Sequence, residues 1–414
     1  MSSMKKKIAF TAFRYGEGIF GGTEIHCRML AERLKPYYEV EVLTSTLRHP
    51  AASEEDFPAG ERLENGILVR RFRAEPDREH TNERRREASK ARRLRYLLDQ
   101  WRLLTPLAAL HPLWTLNEEA ERRFFATHEE YAPTLTDFIR EHKEEYAAIL
   151  PVGFNFTSTL TAALEAPERC ILIPTAHPVR SLYFSLFTRV FTRVRHIAFN
   201  TPAEQRLCRR VFGPALAPNS IVGCSIEKAA PVRWEEVKAR YGLPDDYLLY
   251  VGRMHPQKIG SLIPDFLRYK RQYGGEIRLV LVGPADSESR EIDRSEIIVT
   301  GSVSDEEKLA IIRHATLMVN PSLVESLSLL LLEALDNGIP MLVNGRCEVM
   351  KDHCKFSGAA LWYDNGRDFR KKLHRILSDP ALRQSMAERG PRYVRENYGW
   401  ELIIGKLRRL IESL

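Results

Sequence analysis

The sequence predicts a doubly wound α/β protein of two domains, and three observations support this fold class. Short apolar segments alternate with segments of helical periodicity, an order that gives parallel sheets covered by helices. A glycine-rich turn follows the first apolar segment, and the second half of the chain repeats the rhythm. The 414 residues exceed the ~100–200 residues of a usual domain. We predict domains at residues 1–228 and 229–398, with a helix at 399–414 crossing back to the first.

The composition is that of an ordinary soluble globular protein, with 44% hydrophobic and 28% charged residues. Its six cysteines are scattered without a C-x-x-C pair, which favours a reducing compartment and argues against a structural zinc site. The apolar stretch that begins at Ile8 ends at Arg14, so it is too short for a signal peptide. No run reaches the ~18 apolar residues of a membrane span. We therefore expect a cytoplasmic protein.

The first domain begins with a predicted strand at residues 5–13, which runs into a glycine-rich turn at residues 14–24. A helix should follow, because apolar side chains recur on one helical face at Cys27, Leu30, Ala31 and Leu34. Gly21 and Gly22 allow a backbone to approach a ligand closely, and the helix N-terminus behind them favours an anion. The alternative is that they only make a tight turn. The pattern is not G-x-G-x-x-G, so it gives little support for a nicotinamide site.

Residues 78–131 interrupt the α/β pattern, and we interpret them as a helical insertion at the rim of the first domain. Residues 70–95 contain eleven Lys or Arg and five Asp or Glu, and this local excess of six accounts for nearly all of the net charge of +7. The insertion also carries the aromatic residues Trp101, Trp114, Phe124 and Phe125. Basic and aromatic residues together suit an anionic membrane surface or a lipid-phosphate substrate. No base-reading motif indicates nucleic acid. The alternative is a solvated charged helix packed on its own domain.

The remaining strands of the first domain are predicted at residues 38–45, 66–73, 146–151, 170–174, 197–200 and 220–223. The strand at 170–174 leads to His177, so this histidine stands at the carboxyl end of a strand, where α/β proteins gather their ligands. A lone histidine can equally be structural.

The second domain opens with a predicted strand at residues 246–251 that runs into the loop GRMHPQKIG, residues 252–260. This loop places Arg253 and Lys258 at the carboxyl end of the strand, where two cations beside glycines suit a diphosphate. The alternative is a surface loop with solvated charges. Further strands are predicted at residues 277–283, 297–301, 317–320 and 341–344, and SVSDEE at 302–307 is typical of a capped helix start.

The segment ESLSLLLLEALDNGIP, residues 325–340, predicts a buried helix, with Ser326 as its N-cap and Gly338 and Pro340 as its stop. Glu325 then lies in the loop before the helix and Glu333 about two turns into it. Both acids need partners, because a buried unpaired carboxylate costs several kcal/mol. A bound polyhydroxyl ligand could supply them. The alternative is that Glu325 is a solvated loop acid and Glu333 a member of an intrachain salt bridge.

Four marks in order resemble the retaining GT-B glycosyltransferases of glycosyltransferase family 4: Gly21 and Gly22, the VGR-x4-K segment at 251–258, GSVSDEE at 301–307, and E-x7-E at Glu325 and Glu333. The resemblance runs from Lys7 to about residue 410. ESLSLLLLEAL and NGRCEV also resemble a bacterial branch of that family. The resemblance implies two Rossmann-like domains facing each other across a cleft, with the insertion in the N-terminal domain.

The resemblance also implies roles for individual residues. Arg253 and Lys258 would hold the donor diphosphate, Glu325 would contact hydroxyls of the donor sugar, and Glu333 would bind the nucleotide ribose. The amides of Ser326, Leu327 and Ser328 would meet the phosphate, Val303 would border the base, and Gly22 would pass close to the phosphate and sugar. His177 matches the active-site histidine of the family, although Pro178 follows it where the family usually has Asp.

The implied reaction moves a sugar, with retention, from a nucleotide sugar (most often UDP- or GDP-linked) to a glycan, lipid-linked or other acceptor. The family commonly works without a metal ion, and the chain contains no D-x-D motif. A peripheral location on the inner face of the membrane would suit the basic insertion. Two alternatives stay open: a sugar-nucleotide epimerase or hydrolase of the same fold, and a non-catalytic scaffold that docks on a membrane or partner.

Overall fold

The computed structural model describes residues 5–19, 21–50, 53, 56–108, 117–284 and 295–414. The chain divides into two compact units. The N-terminal unit comprises Met1–Cys224 and Ile403–Leu414, and the C-terminal unit comprises Ser225–Leu402. The division gives each unit its own sheet and its own covering helices.

The strands of the N-terminal unit form one parallel succession with a single antiparallel edge. They pair in the orders β3-β4-β2-β1-β5 and β6-β7-β8, and parallel bridges from Ile149 to Cys170 and from Val152 to Ile173 join the two groups. The strands are β1 (Lys7–Ala12), β2 (Glu39–Ser45), β3 (Gly60–Glu64), β4 (Ile67–Phe72), β5 (Ala148–Pro151), β6 (Ile171–Leu172), β7 (His196–Phe199) and β8 (Asn219–Ile221).

The antiparallel edge strand β3 is absent from the sequence-based prediction, which has only one strand here, at residues 66–73. The structure instead has a hairpin of β3 and β4 joined by Asn65 and Gly66, both with positive φ. Asn-Gly between two strands is a strong hairpin signal and could have revealed β3. The strand itself, GERLE, is largely exposed and has no apolar alternation from which a buried face could be predicted.

The sheet of the C-terminal unit is parallel throughout, with strand order β11-β10-β9-β12-β13-β14. Its carboxyl ends therefore lie along one edge, which is where parallel α/β sheets bind ligands. The strands are β9 (Tyr247–Val251), β10 (Arg278–Val282), β11 (Ile297–Gly301), β12 (Leu317–Asn320), β13 (Met341–Asn344) and β14 (Ala360–Tyr363).

Helices connect the strands and cover the sheets in both units. Those of the N-terminal unit are α1 (Gly22–Leu34), α2 (Thr81–Gln100), α3 (Leu104–Leu107), α4 (Glu118–Phe125), α5 (Pro133–His142), α6 (Thr157–Glu165), α7 (Leu186–Arg193) and α8 (Pro202–Phe212). The others are α9 (Trp234–Tyr241), α10 (Pro256–Ile259), α11 (Leu262–Tyr273), α12 (Asp305–Arg313), α13 (Leu329–Asp336), α14 (Glu348–Ser357), α15 (Gly366–Ser378), α16 (Pro380–Tyr398) and α17 (Trp400–Glu412).

The end of α17 packs within the N-terminal unit, where Glu412 accepts hydrogen bonds from Lys6 Nζ at 2.7 Å and Tyr38 Oη at 2.8 Å. In the C-terminal unit, α16 lies directly against α13. Gly390 permits this approach, because a Cβ at that position would fall 2.4 Å from the Leu335 carbonyl oxygen. The leucine-rich helix is thus enclosed by backbone contact as well as by side chains.

The basic insertion is anchored in the core of the N-terminal unit rather than lying loosely on it. Phe125 of α4 is only 3% exposed and belongs to that core, whereas Trp101, just after α2, is 66% exposed. Two buried charges tie the insertion to the segment before α7. Arg95 Nη1 donates to the Phe184 carbonyl at 2.7 Å, and Glu121 accepts from the Ser185 amide at 2.9 Å and its hydroxyl at 2.8 Å. Trp114 lies outside the described residues.

Candidate active site

Helix α13 begins later in the chain than the sequence predicts. Ser326 was expected to be the N-cap, but the helix begins at Leu329 and Ser328 is the residue before it, with φ of 69°. A serine in this left-handed conformation needs support from its surroundings. Asn320, at the end of β12, supplies it, since its Nδ2 donates to Ser328 Oγ at 3.3 Å. A tertiary hydrogen bond therefore overrides the local capping signal.

His353 fixes the same loop from the opposite side. Its Nε2 lies 3.0 Å from the Leu327 carbonyl oxygen and its Nδ1 lies 2.8 Å from the Tyr393 hydroxyl. Burial lowers the pKa of His353 to about 4, so the ring is neutral and carries one proton. A carbonyl can only accept, so Nε2 donates to Leu327 and Nδ1 accepts from Tyr393. Helices α14 and α16 thereby hold the backbone that follows Glu325.

Glu325 has an intrachain cationic partner. Lys258 Nζ lies 3.0 Å from Glu325 Oε1 and 3.4 Å from Ser322 Oγ. The pair is accessible to solvent, with side-chain exposures of 42% for Lys258 and 22% for Glu325. The sequence indicates that Glu325 needs a partner, and the structure supplies one from the chain itself, Lys258.

Arg253 provides a second cation after the same strand as Lys258. Its backbone is held by Tyr250, whose hydroxyl donates to the Arg253 carbonyl at 2.8 Å. Its side chain is exposed, and no residue within the described ranges makes a hydrogen bond or ion pair with the guanidinium. Arg253 is thus available to an anion, whereas Lys258 is already paired.

Glu333 also has a cationic partner, but in a more enclosed setting. Lys308 of α12 places its Nζ 3.1 Å from Glu333 Oε1 and 3.2 Å from Asp305 Oδ1. Burial raises the pKa of Glu333, and the charge and hydrogen bond of Lys308 oppose that rise. Glu333 Oε2 is buried and has no hydrogen-bond partner among the described residues. Glu333 Oε1 is therefore in an intrachain salt bridge, as one of the alternatives predicted, while no described residue satisfies Glu333 Oε2.

The capped helix start predicted at SVSDEE is confirmed. Ser304 Oγ accepts from the Glu307 amide at 3.2 Å, and Glu307 Oε2 accepts from the Ser304 amide at 3.2 Å, which is a capping box. Val303 lies just before it, partly exposed, after the carboxyl end of β11. The capping box fixes the start of α12, the helix that carries Lys308.

The predicted donor-side residues of the C-terminal unit all follow carboxyl ends of its sheet. Arg253 and Lys258 follow β9, Val303 follows β11, and Glu325 follows β12, the strand that pairs with β9. The loop cations and the acids around α13 therefore belong to one edge of one sheet. Such an edge, with two cations and two carboxylates, can bind a ligand that carries both phosphate and hydroxyl groups.

The predicted residues of the N-terminal unit lie at carboxyl ends of that unit's strands. Gly21 precedes α1, and any side chain there would collide with Glu24, because a Cβ would fall 2.0 Å from Glu24 Oε2. Gly22 is exposed and has open space around its Cα. Glu24 is itself paired with Arg14 at 2.7 Å. The contact with Glu24 thus favours a glycine at position 21, whereas no packing within 4 Å requires a glycine at position 22.

His177 lies beyond β6 in a loop that the buried side chain of Glu204 holds in place. Its Nδ1 lies 3.1 Å from the Thr175 carbonyl oxygen, so a neutral ring donates from Nδ1 and has its lone pair on Nε2. Thr175 has φ of 48°, and the next amide, that of Ala176, donates to Glu204 Oε1. Glu204 Oε2 accepts from the Asn200 amide at 2.6 Å, and burial raises the pKa of Glu204 to about 8.

Three residues that sequence reasoning missed support the candidate site: Lys308, His353 and Glu204. Each acts through a partner that is 25 to 28 positions away in the chain. Lys308 directly follows the capping box, and its position in the first turns of α12 was the only signal that could have drawn attention to it. His353 carries no sequence signal of its own. Glu204 stands three residues after Thr201, the N-cap of α8, and this spacing was a readable signal of a helix start.

Comparison with solved structures identifies the class of fold. Sucrose-phosphate synthase from Thermosynechococcus elongatus matches with a TM-score of 0.68 and 17% identity, covering 99% of both chains. Anabaena HepE, solved in complex with UDP and glucose, matches with a TM-score of 0.66 and 14% identity over 99% of this chain and 100% of its own. The protein therefore has a GT-B fold with two Rossmann-like domains, as the sequence predicts.

Comparison of sequences gives a more specific but more local likeness. Residues 245–379 match the family model described as Glycosyl transferases group 1. D-inositol 3-phosphate glycosyltransferase from Streptomyces bingchenggensis is 27% identical over 49% of this chain and 49% of its own length. Alpha-D-kanosaminyltransferase from Streptomyces kanamyceticus is 28% identical over 38% of this chain and 43% of its own. The chain thus spans about half of these curated relatives.

None of the described helices is both long and apolar enough to cross a membrane. No group of three or more His, Cys, Asp or Glu in the described ranges is placed to hold a metal ion.

Proposed function

We propose that this protein is a retaining glycosyltransferase that moves a sugar from a nucleoside-diphosphate sugar, UDP- or GDP-linked, to a saccharide or lipid-linked acceptor. The observation that carries the proposal is the edge of the C-terminal sheet. There Arg253, whose guanidinium has no hydrogen-bond or ion-pair partner among the described residues, and Lys258 follow β9, and Lys258 pairs with Glu325 in the loop before α13. Glu333, within α13, has an Oε2 that no described residue satisfies. The glycosyltransferase names of the relatives and the group 1 model over the same residues support it.

The donor would be bound by complementary groups. Arg253 and Lys258 hold the diphosphate, and the amides of Ser326, Leu327 and Ser328 at the start of α13 meet one phosphate. Glu325 accepts from hydroxyls of the sugar once the diphosphate has drawn Lys258 away. Glu333 Oε2 accepts from a ribose hydroxyl, which would satisfy a buried carboxylate oxygen that has no hydrogen-bond partner among the described residues. Val303 borders the base.

The chemical step would exchange two bonds at the anomeric carbon. The bond to the diphosphate oxygen breaks, the acceptor oxygen forms its bond on the same face, and the acceptor proton passes to the departing phosphate. Arg253, Lys258 and the N-terminus of α13 stabilise the negative charge that develops on the leaving group. We propose that these groups suffice without a metal ion. His177, with its lone pair on Nε2, would accept a hydrogen bond from the sugar, and Gly22 would let the donor pass close to the backbone.

We also propose that the acceptor is anionic or lipid-linked and that the protein works peripherally on a membrane from the cytoplasmic side. The basic insertion motivates this part of the proposal. One relative is named for D-inositol 3-phosphate, an anionic acceptor.

The proposal is tested by the thermal stability of the purified protein with UDP, GDP, ADP, CMP and dTDP in turn. A nucleotide at 100 times its dissociation constant adds about 2.7 kcal/mol to the native state. We expect UDP or GDP to stabilise the unaltered protein and to lose that effect in an Arg253→Ala, Lys258→Ala double variant. The control is an Arg268→Ala, Arg271→Ala double variant, which removes two cations from α11 of the same unit.

Incubation with the matching sugar nucleotide separates the alternatives. A transferase releases nucleotide only when an acceptor is present, whereas an epimerase or hydrolase alters or cleaves the donor alone. A scaffold binds none of the nucleotides or their sugars, and that result would overturn the proposal.

A further inference from the structure

Exposed apolar side chains are concentrated at the end of α2 and in the three residues that follow it. Of the eleven exposed large hydrophobic residues in the described chain, four lie within residues 94–103. They are Leu94, Leu97, Trp101 and Leu103, with exposures of 45%, 47%, 66% and 47%. Isolated exposed leucines are ordinary, but a cluster with a tryptophan at its centre indicates a surface that something apolar covers.

The cluster continues a basic stripe on the outward face of α2. Arg86, Lys90, Arg93, Leu97 and Trp101 follow one another at spacings of four, three, four and four residues, which places them on one side of the helix. Each of the five is exposed. The outward stripe is therefore basic in its first half and apolar in its second.

The opposite face of α2 is fixed in the core, so the stripe cannot turn inward. Ala88, Ala91 and Arg95 are buried, and Arg95 bonds the carbonyls of Tyr183 and Phe184. The helix thus presents its stripe rigidly, and the exposure of Trp101 is not relieved by packing elsewhere in the described structure.

The charges beside the apolar cluster are predominantly positive. Helix α2 contains seven Lys or Arg and three Asp or Glu, and one of those acids, Asp99, is buried. Glu83 and Glu87 are the acids of the outward side, yet no carboxylate in the described ranges lies within ion-pair distance of Arg86, Lys90 or Arg93. The 3₁₀ turn Arg180–Tyr183 adds Arg180, whose guanidinium lies over the Tyr96 ring.

We infer that this stripe, Arg86 to Leu103, docks the protein on an anionic lipid bilayer. Arg86, Lys90 and Arg93 contact acidic headgroups, while Leu94, Leu97, Trp101 and Leu103 enter the boundary between headgroups and acyl chains. Interleaved cations and a tryptophan at an apolar edge match the chemistry of that boundary, with its negative charge outside and hydrocarbon beneath. A protein partner would lack the negative charge that matches these cations unless its surface were acidic. The inference deepens the proposed peripheral location and rests on it, but it does not depend on nucleotide binding.

The test is co-sedimentation of the full chain with vesicles of pure phosphatidylcholine and with vesicles containing about one third phosphatidylglycerol. Two variants probe the stripe: Leu94→Ser with Leu97→Ser and Trp101→Ser, and Arg86→Gln with Lys90→Gln and Arg93→Gln. A matched control is Leu63→Ser with Phe356→Ser, which removes side chains of 70% and 60% exposure elsewhere. We expect the unaltered protein to bind acidic vesicles at least tenfold more tightly than neutral ones, each stripe variant to lose at least tenfold, and the control to lose nothing.

Stabilisation by UDP or GDP is measured on the same preparations to confirm folding. A folded stripe variant that keeps its nucleotide response and loses vesicle binding supports the inference. Equal binding to neutral and acidic vesicles, or undiminished binding by both stripe variants, would overturn it. So would a dimer that the apolar variant abolishes, because a second copy would then be what covers the stripe. Loss of the nucleotide response in the unaltered protein would count against the proposed transferase alone.

Discussion

Replacing Lys308 by methionine should alter both the stability of the C-terminal unit and the pH dependence of nucleotide binding. The change keeps most of the side-chain volume and removes the charge that lies 3.1 Å from Glu333 Oε1. Burial lowers the pKa of Lys308, but the attraction of Glu333 and Asp305 outweighs it and the net pKa is raised. A raised lysine pKa means that the interactions of the charged Lys308 stabilise the fold fully near neutral pH and lose this effect only at high alkaline pH.

The magnitude follows from the burial of the pair. Removing one partner of a fully buried pair costs about 3–5 kcal/mol, whereas exposed pairs contribute about 0.2–1 kcal/mol. The side chains of Lys308 and Glu333 are 23% and 16% exposed, which lies between these limits. We therefore expect Lys308→Met to lower the free energy of unfolding by about 1–3 kcal/mol.

The effect on nucleotide binding follows from the protonation of Glu333. Burial already raises its pKa, and without Lys308 nothing cationic in the described ranges opposes that rise. A protonated carboxyl forms a weaker hydrogen bond with a ribose hydroxyl than a carboxylate does, and a loss of about 1.4 kcal/mol would weaken binding about tenfold. Affinity in the variant should recover as the pH rises and Glu333 ionises.

The assay is calorimetric titration of UDP or GDP, whichever stabilises the unaltered protein, between about pH 6 and pH 9. Lys308→Arg is the conservative control and should retain the profile of the unaltered protein. Glu333→Gln should bind weakly at every pH, since it cannot ionise. The reasoning is refuted if Lys308→Met binds nucleotide with unchanged affinity and unchanged pH dependence while Glu333→Gln is weakened.

Two further predictions concern the buried residues that hold the site loops. His353→Phe should cost about 2–4 kcal/mol in chemical denaturation, because it leaves the Leu327 carbonyl and the Tyr393 hydroxyl buried without this partner. The lowered pKa of His353, about 4, means that the unfolded chain binds the extra proton, so the unaltered protein should lose stability as the pH falls from about 6.5 to 4 and the variant should lack that component. Glu204, with a pKa raised to about 8, makes the folded state bind the extra proton, so its contribution declines as the pH rises from about 4.5 to 8. Between pH 5.5 and pH 8.5 this titration is worth about 3 kcal/mol, so Glu204→Gln should reduce the difference in melting temperature over that range by roughly 6–12 °C. An unchanged difference would show that Glu204 does not titrate in this range.

The parts of the fold that the sequence predicted are those set by local pattern. The strand ends carrying Arg253 and Lys258, the capping box at Ser304 and the leucine-rich helix all follow from periodicity and capping chemistry between neighbours in the chain. The edge strand β3 was missed because no buried face gives it a pattern. The Asn65-Gly66 sequence nevertheless predicts a hairpin turn, which could have revealed the strand.

The partners of the site residues could not be predicted in this way. Glu333 and Lys308 are 25 positions apart, and Glu325 and Lys258 are 67 apart. Sequence spacing shows only that an acid needs a partner, not whether the chain or a ligand supplies it. The prediction of where α13 starts was wrong for the same reason. The loop before it is held by hydrogen bonds from Asn320 and His353, which sequence spacing does not show.

The two ion pairs around α13 differ in a way that separates their roles. Lys258 is 42% exposed and its pair with Glu325 faces solvent, so a diphosphate can compete for the lysine at little cost in desolvation. Lys308 is 23% exposed, and in its pair with Glu333 one carboxylate oxygen is buried and satisfied by no described residue. Opening that second pair would strand a buried charge, so a donor would find it intact and add to it. In the first pair, Lys258 is therefore suited to leave Glu325 for the diphosphate when a donor binds. The second pair is suited to hold the Glu333 carboxylate in one fixed orientation, in which it can accept a hydrogen bond from a ribose hydroxyl.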